Sequence, residues 1–110
     1  MPETTVKVLP ILHAAETVDD LADAAKLRGR TPHAYEIEEP AEANAVRALN
    51  AAGVLADYMR GVGDAGEDLQ VGLTDLLADL RHLADAAGLD WDDADKTASR
   101  RYQEEVRGAL

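Results

Sequence analysis

The 110-residue sequence predicts an all-α fold, a small antiparallel bundle of about four helices in one domain spanning residues 1–110. The clearest observation is a run from 67 to 87 in which leucine and alanine recur at the spacing of one helix face. Residues that start helices and glycines that end them frame this run and its neighbours. The connections between the helices are short, which favours antiparallel packing of consecutive helices.

The N-terminal part carries the weakest helical signal. Residues 1–16 are expected to be extended, because Val6 and Val8 favour a strand, and Pro10 limits it to a short edge strand. The connection at 29–40 contains a few alternating residues that could pair with this strand. A minor two-stranded element near the N-terminus is therefore one expectation, although two short strands are marginal without further packing.

Thr17 predicts the start of the first helix, over about residues 17–28. Its hydroxyl can cap the helix while the Asp20 side chain reaches back, which is the arrangement of a capping box. Gly29 is expected to end this helix.

The second helix is expected to run from about Ala41 to Arg60, with Pro40 at its first turn, where proline is tolerated. It is apolar almost all round, and a helix without a polar face is buried on several sides. Gly53 permits the close approach of another helix, at a cost of about 1 kcal/mol in helix propensity. We expect this helix to be central in the bundle or to lie between two copies.

Residues 61–66 contain three glycines and are expected to form a flexible hinge. The third helix follows over about 67–87, and at 100° per residue its apolar residues occupy a stripe about 120° wide, which is expected to face the core. The stripe consists of Leu69, Leu73, Leu76, Leu77, Leu80, Leu83, Ala84 and Ala87. Gly88 ends this helix. Asp90 caps a fourth helix, with Leu89 as a hydrophobic staple, and its thin apolar stripe predicts an outer position.

The composition indicates a thin hydrophobic core. Hydrophobic residues make up 46% of the chain, but they are mainly alanine and leucine, with no phenylalanine and one tryptophan. Alanine adds little buried area, whereas a large side chain contributes roughly 1.5–3 kcal/mol when it is fully buried. A second subunit often completes such a core, so we expect a homo-oligomer.

The net charge of −11 excludes whole classes of partner. A nucleic-acid binder needs clustered lysine and arginine, and an anionic membrane repels an acidic surface. The absence of cysteine excludes disulfides and thiolate chemistry. Because we find neither a secretion signal nor an apolar run of the ~18 residues that span a membrane, the sequence predicts a cytoplasmic protein.

Acidic residues are concentrated in one third of the chain. Between Asp64 and Asp95 there are ten of them against a single base, Arg81. A second stripe on the third helix consists of Asp68, Asp75, Asp79 and His82. At 100° per residue it is centred about 125° from the leucine stripe, so it is expected to face away from the core. This stripe could be a solvated helix face, a divalent-cation site or a surface that binds a partner.

Two segments resemble the MazG-like branch of the all-α nucleoside-triphosphate pyrophosphohydrolases. The first is the spacing Glu38-Glu39-x-x-Glu42, and the second is the stretch from 74 to 105, with its leucine-rich helix and Gly-Leu-Asp turn. The resemblance implies a four-helix subunit that dimerises and holds Mg²⁺ over a triphosphate. The implied metal ligands are Glu38, Glu39, Glu42 and Asp75. The family's second motif is ExxD, and the position of its glutamate is occupied here by Gly72.

Three functions follow as hypotheses. The sequence favours a non-enzymatic protein that acts through protein–protein interaction, self-associates and needs no cofactor. The first alternative is the Mg²⁺-dependent pyrophosphohydrolase that the resemblance implies. The second alternative is an inhibitor whose acidic segment 64–95 imitates nucleic acid and occupies the basic surface of another protein.

Overall fold

The computed structural model describes residues 8–108, in which five α-helices are joined by short turns. The helices are α1 (Val8–Ala14), α2 (Val18–Ala25), α3 (Pro40–Gly61), α4 (Leu69–Ala87) and α5 (Trp91–Arg107). Two short 3₁₀ helices, Lys26–Arg30 and Ala34–Glu36, connect α2 to α3. No strand occurs within residues 8–108, so the all-α prediction is confirmed.

The expected extended N-terminal segment is wrong from Val8 onward, because a two-turn helix begins there. Pro10 lies in the first turn of α1, where its missing N–H costs no helical hydrogen bond. The helical turn brings Val8 into the core, beside Ala24 and Leu49. Residues 1–7, with the rest of the predicted strand, lie outside the described part of the chain.

The second predicted strand segment, within residues 29–40, forms a 3₁₀ helix instead. The backbone N–H groups of Glu36 and Ile37 donate to carbonyls three residues earlier, at 2.9 and 3.1 Å. Arg28 anchors this connection: its guanidinium donates to the Asn50 side chain on α3 at 2.6 Å and to His33 Nδ1 at 2.8 Å. Local hydrogen bonds therefore satisfy the polar backbone that the expected strand pair would have satisfied.

The helix ends follow the sequence closely. Thr17 caps α2, with the Asp20 N–H donating to the Thr17 hydroxyl at 3.1 Å and the Asp20 carboxylate accepting from the Thr17 N–H at 3.2 Å. The hydrogen bonds that the Asp20 carboxylate accepts from the Glu16 N–H and the Thr17 N–H lower the pKa of Asp20. Between α4 and α5, Gly88 ends α4 with φ +72°. The Asp90 carboxylate caps α5 by accepting a hydrogen bond from the Asp93 N–H at 2.9 Å. Two predictions are wrong: Leu89 is 62% exposed and forms no staple, and α2 ends at Ala25 rather than at Gly29, which lies in the 3₁₀ helix that follows.

The core lies between α2 and α3, with α1 added at one end. Most of the fully buried apolar side chains belong to α3, among them Val46, Leu49 and Met59. At Gly53 an added Cβ would lie 3.5 Å from the Ala25 side chain, so the glycine lets α2 approach closely. The prediction that the second helix is central is confirmed.

The orientation of α4 differs from the prediction. Only Gly72 and Ala84 are buried on this helix, and the leucine stripe that was expected in the core is largely exposed. The reason is the glycine: with no side chain at position 72, the helix backbone comes so close to α3 that an added Cβ would overlap the Met59 side chain. Contact with α3 is therefore made beside the leucine stripe.

The last helix, α5, is an outer helix, as predicted, and none of its residues is buried. Its C-terminal end is attached to the start of α3, because the Asn44 amide donates to the Glu105 carbonyl at 3.0 Å and Arg47 pairs with the Glu105 carboxylate at 3.3 Å. The contact between α4 and α5 is small, and it includes the Arg81 guanidinium 5.8 Å from the centre of the Trp91 ring.

This arrangement produces a flat molecule, with extents of 44 × 33 × 19 Å. The first half of α4 lies against the C-terminal end of α3, whereas α5 returns to its N-terminal end. The middle of α3 is left uncovered on that side. Within residues 8–108 no helix combines the length and the apolar character needed to span a membrane.

Candidate functional site

An apolar groove of about 430 Å³ crosses the uncovered middle of α3. Ala48, Ala51, Val54 and Leu55 lie along α3 in this groove, and Leu73 and Leu76 of α4 form one wall. Leu12 of α1 and Leu21 of α2 contribute the remainder together with Ala52. No charged residue lines the groove, although 30% of the chain is charged.

The leucine stripe of α4 continues this apolar surface beyond the groove. Leu77, Leu80 and Leu83 are exposed by 49%, 41% and 55%. Leu80 lies four residues after Leu76 and seven after Leu73, so it falls on the same side of the helix as the groove wall. We call the groove residues of α3 and α4, together with Leu77, Leu80 and Leu83, the apolar face.

A group of acidic residues lies on the neighbouring side of α4, where this helix meets the end of α3. Asp64, Asp75 and Asp79 surround Tyr58 there, in a shallow depression of about 250 Å³. The Tyr58 hydroxyl donates to Asp79 Oδ2 at 2.6 Å. The stripe lies outside the core, as expected, but α4 turns Asp75 and Asp79 toward the end of α3, which the sequence did not indicate.

The acids alter one another's protonation. A hydrogen bond shared with the Asp75 carboxyl raises the pKa of Asp64 above its ordinary value, and the neighbouring negative charges act in the same direction. The hydrogen bond to Asp79 raises the pKa of Tyr58 to about 12, because it stabilises the protonated phenol next to an anion. Both shifts favour the protonated form of the group concerned, the Tyr58 phenol and the Asp64 carboxyl.

The other members of the predicted acidic stripe do not join this group. Asp68 is the exposed residue before α4 and makes no capping hydrogen bond through its side chain. His82 is exposed on the next turns of the helix. Among residues 8–108, no three histidine, aspartate or glutamate side chains are arranged to hold a metal ion.

The structure places the four ligands implied by the MazG-like resemblance at opposite ends of α3. Glu38 borders a pocket beside Arg47 and Glu105, and the Glu39 carboxylate accepts the Ala41 N–H at 2.9 Å as the cap of α3. Glu42 follows in the first turn. Asp75 lies beside Tyr58, sixteen residues further along the helix, which corresponds to about 24 Å at 1.5 Å per residue. The first three acids and Asp75 are not brought together within one chain.

Gly72 explains why the second motif of that family is incomplete here. A side chain at this position would collide with Met59, which is fully buried. The position that would hold the glutamate of the family motif serves instead as the contact between two helices.

The leucines of the apolar face are visible in the sequence as a stripe, but their exposure and the groove on α3 are not. The signal for the groove was present, because the second predicted helix is apolar on every side and so exceeds what one bundle can cover. Comparisons of this chain with protein-family models, with curated proteins and with solved structures found no match.

Proposed function

We propose that this protein is an interaction module that binds another polypeptide through its apolar face. The observation that carries the proposal is the combination of an uncharged groove with a row of half-exposed leucines beside it. Single exposed apolar residues are ordinary, whereas contiguous ones rimmed by polar residues mark interaction sites. The charge of the chain makes the contrast sharper, because a chain with a net charge of −11 has no charged residue in this groove.

Physical chemistry supports a polypeptide as the bound species. Removing apolar surface from water contributes roughly 25 cal/mol per Å², so a face several side chains wide releases substantial free energy when it is covered. The groove is open rather than enclosed, and its lining on α3 runs from Ala48 to Leu55, which suits a helix laid into it with side chains at helical spacing. Small residues on its floor, Ala48 and Ala51, allow a helix backbone to approach.

The two alternatives remain predictions. A pyrophosphohydrolase would need its carboxylates at one point, and here the first three and Asp75 lie at opposite ends of α3. A nucleic-acid mimic would use the exposed acids of α4 and α5, and no described contact distinguishes such a use from a solvated surface. The apolar face is the feature that neither alternative explains.

The proposal can be tested by replacing Leu80 with a photo-crosslinking amino acid and irradiating the cells that produce the protein. The matched control carries the same amino acid at His82, an exposed position pointing away from the apolar face. We expect a crosslinked product at position 80 and none at position 82, with the attached polypeptide identified by mass spectrometry. The absence of any polypeptide product at position 80, in chains that are folded by circular dichroism, would contradict the proposal.

A further inference from the structure

We infer that the polypeptide bound at the apolar face is a second copy of this chain, related to the first by a two-fold axis. The inference rests on the proposed function and names the partner. Its first support is that one face contains both complementary shapes. The floor formed by Ala48 and Ala51 is concave and lined by small residues, whereas Leu77, Leu80 and Leu83 protrude beside it.

A two-fold axis would engage the groove and the protruding leucines of both copies at the same time. In an isologous interface the same patch occurs on both subunits, so residue i of one contacts residue j of the other and the reverse. The leucines of each copy would then enter the groove of its partner, and both grooves would be filled. A single foreign helix would fill the groove and leave the protruding leucines of α4 uncovered.

The exposed area of the chain is the second support. Its accessible surface is 7502 Å², whereas a monomeric protein of this mass, 11.8 kDa, exposes about 5,900 Å². The surplus is about 1,600 Å² by that scaling. The surplus of one chain therefore exceeds the roughly 800 Å² that each partner contributes to an interface of standard size.

The shape of the chain leads to the same conclusion. The radius of gyration is 15.0 Å, against about 13 Å for a compact chain of this length. A thickness of 19 Å corresponds to two layers of helices packed about 10 Å apart. A second copy on the apolar face would add layers to the thinnest dimension and cover the middle of α3.

The net charge of the chain distinguishes a second copy from a partner protein with a basic surface. Two copies that each carry a net charge of −11 repel one another, so they can meet only where no acid lies. The apolar face fulfils this condition, since the group of Asp64, Asp75 and Asp79 lies beside it on the flank that contacts α3. Screening by salt weakens repulsion between like charges and equally weakens attraction between unlike charges. Self-association should therefore be unchanged or stronger as salt is added, whereas binding of a basic partner should weaken.

The experiment is sedimentation equilibrium of the whole chain over about 1–100 µM, a range in which ordinary interfaces associate. Leu80→Asp is compared with Val71→Asp, a matched control because Val71 is exposed by 40% and Leu80 by 41% on opposite sides of α4. We expect the wild type and Val71→Asp to be dimers. Leu80→Asp should raise the dissociation constant at least about 100-fold, since symmetry buries two unpaired carboxylates.

A second variant, Ala51→Glu, places the charge on the groove floor of α3 and should have the same effect as Leu80→Asp, with circular dichroism reporting the fold of each. A wild-type chain that stays monomeric at the highest concentration, or equal dissociation constants for Leu80→Asp and Val71→Asp, would overturn the inference. If the chain is monomeric but position 80 crosslinks to a different protein, the second copy is excluded and the interaction module stands. If it is monomeric and nothing crosslinks, both proposals fail.

Discussion

The two halves of this molecule contain similar apolar residues but bury them to different extents. In the first half, α2 and α3 bury valine, leucine and methionine side chains completely, and Gly53 brings the helices together. In the second half, α4 and α5 bury only Gly72 and Ala84, although α4 is the more leucine-rich helix. The comparison shows that an apolar stripe identifies the side chains that favour burial but does not identify the surface that covers them.

The difference has a local cause. Both halves contain a glycine at a helix contact, but Gly72 lies beside the leucine stripe rather than within it. The closest approach of α4 to α3 is therefore made by the flank that carries Asp75 and Asp79, and the leucines are turned outward. The α2–α3 region holds the buried core, whereas the apolar face is formed by exposed residues of α3 and α4.

The strongest test of this comparison shortens one apolar side chain in each half of the molecule. Both Met59→Ala and Leu83→Ala are made in the Leu80→Asp background, so that association does not contribute. Met59 is fully buried, and its truncation should lower the free energy of unfolding by about 2–5 kcal/mol. Leu83→Ala should change it by no more than about 0.5 kcal/mol. Urea denaturation measures both, and similar losses would show that the two halves do not differ in this way.

Gly72→Ala tests the close contact between the halves. The added methyl group overlaps the side chain of Met59, which has no free space in the core, so we expect a loss of about 1–3 kcal/mol from overpacking. Gly61→Ala is the control, because nothing lies within 4 Å of a Cβ there. Thermal unfolding should show a lower midpoint for Gly72→Ala only. An unchanged midpoint would mean that α4 does not depend on this glycine.

Asp75→Asn tests the repulsion between neighbouring carboxylates where the two halves meet. Because the pKa of Asp64 is raised in the folded chain, folding binds more protons there, and stability falls as the pH rises from the unfolded value of 3.8 through the folded one. At pH 7 the repulsion is fully present, so removing the Asp75 charge should raise the thermal midpoint. The gain should shrink as the pH falls below 3.8, where Asp64 carries its proton in the folded and in the unfolded chain. A gain that is the same at both pH values would contradict this explanation.

Asp79→Asn has the smallest expected effect and reports on the hydrogen bond between α3 and α4. The pKa of Tyr58 is raised from 10.0 to about 12, so the stability from its protonated hydroxyl is complete below pH 10 and is lost as the pH rises toward 12. The substitution should move the ionisation of Tyr58 back toward 10.0, as followed by phenolate absorbance. Asp85→Asn, on another side of α4, serves as the control and should leave that ionisation unchanged.

The apolar face was only half visible in the sequence. Leu73, Leu77 and Leu80 were identified as a stripe, but the stripe was assigned to the core because amphipathic helices usually bury such a face. The assignment of the leucines failed because helix periodicity gives relative angles within one helix and says nothing about its rotation toward a neighbour. For the same reason the sequence placed the carboxylates outside the core but did not show that Asp75 and Asp79 lie beside Tyr58.

What the sequence determined by itself was local. The all-α class, the extents of α3, α4 and α5, the capping box at Thr17 and the end of α4 at Gly88 follow from helix periodicity and from hydrogen bonds between near neighbours. The tertiary structure decided what depends on distant contacts. These are the helical start at Val8, the rotation of α4 set by Gly72 against Met59, and the separation of α4 from α5 that leaves the middle of α3 uncovered. Packing between helices is set by side-chain volume and backbone approach, and these act between residues far apart in the chain.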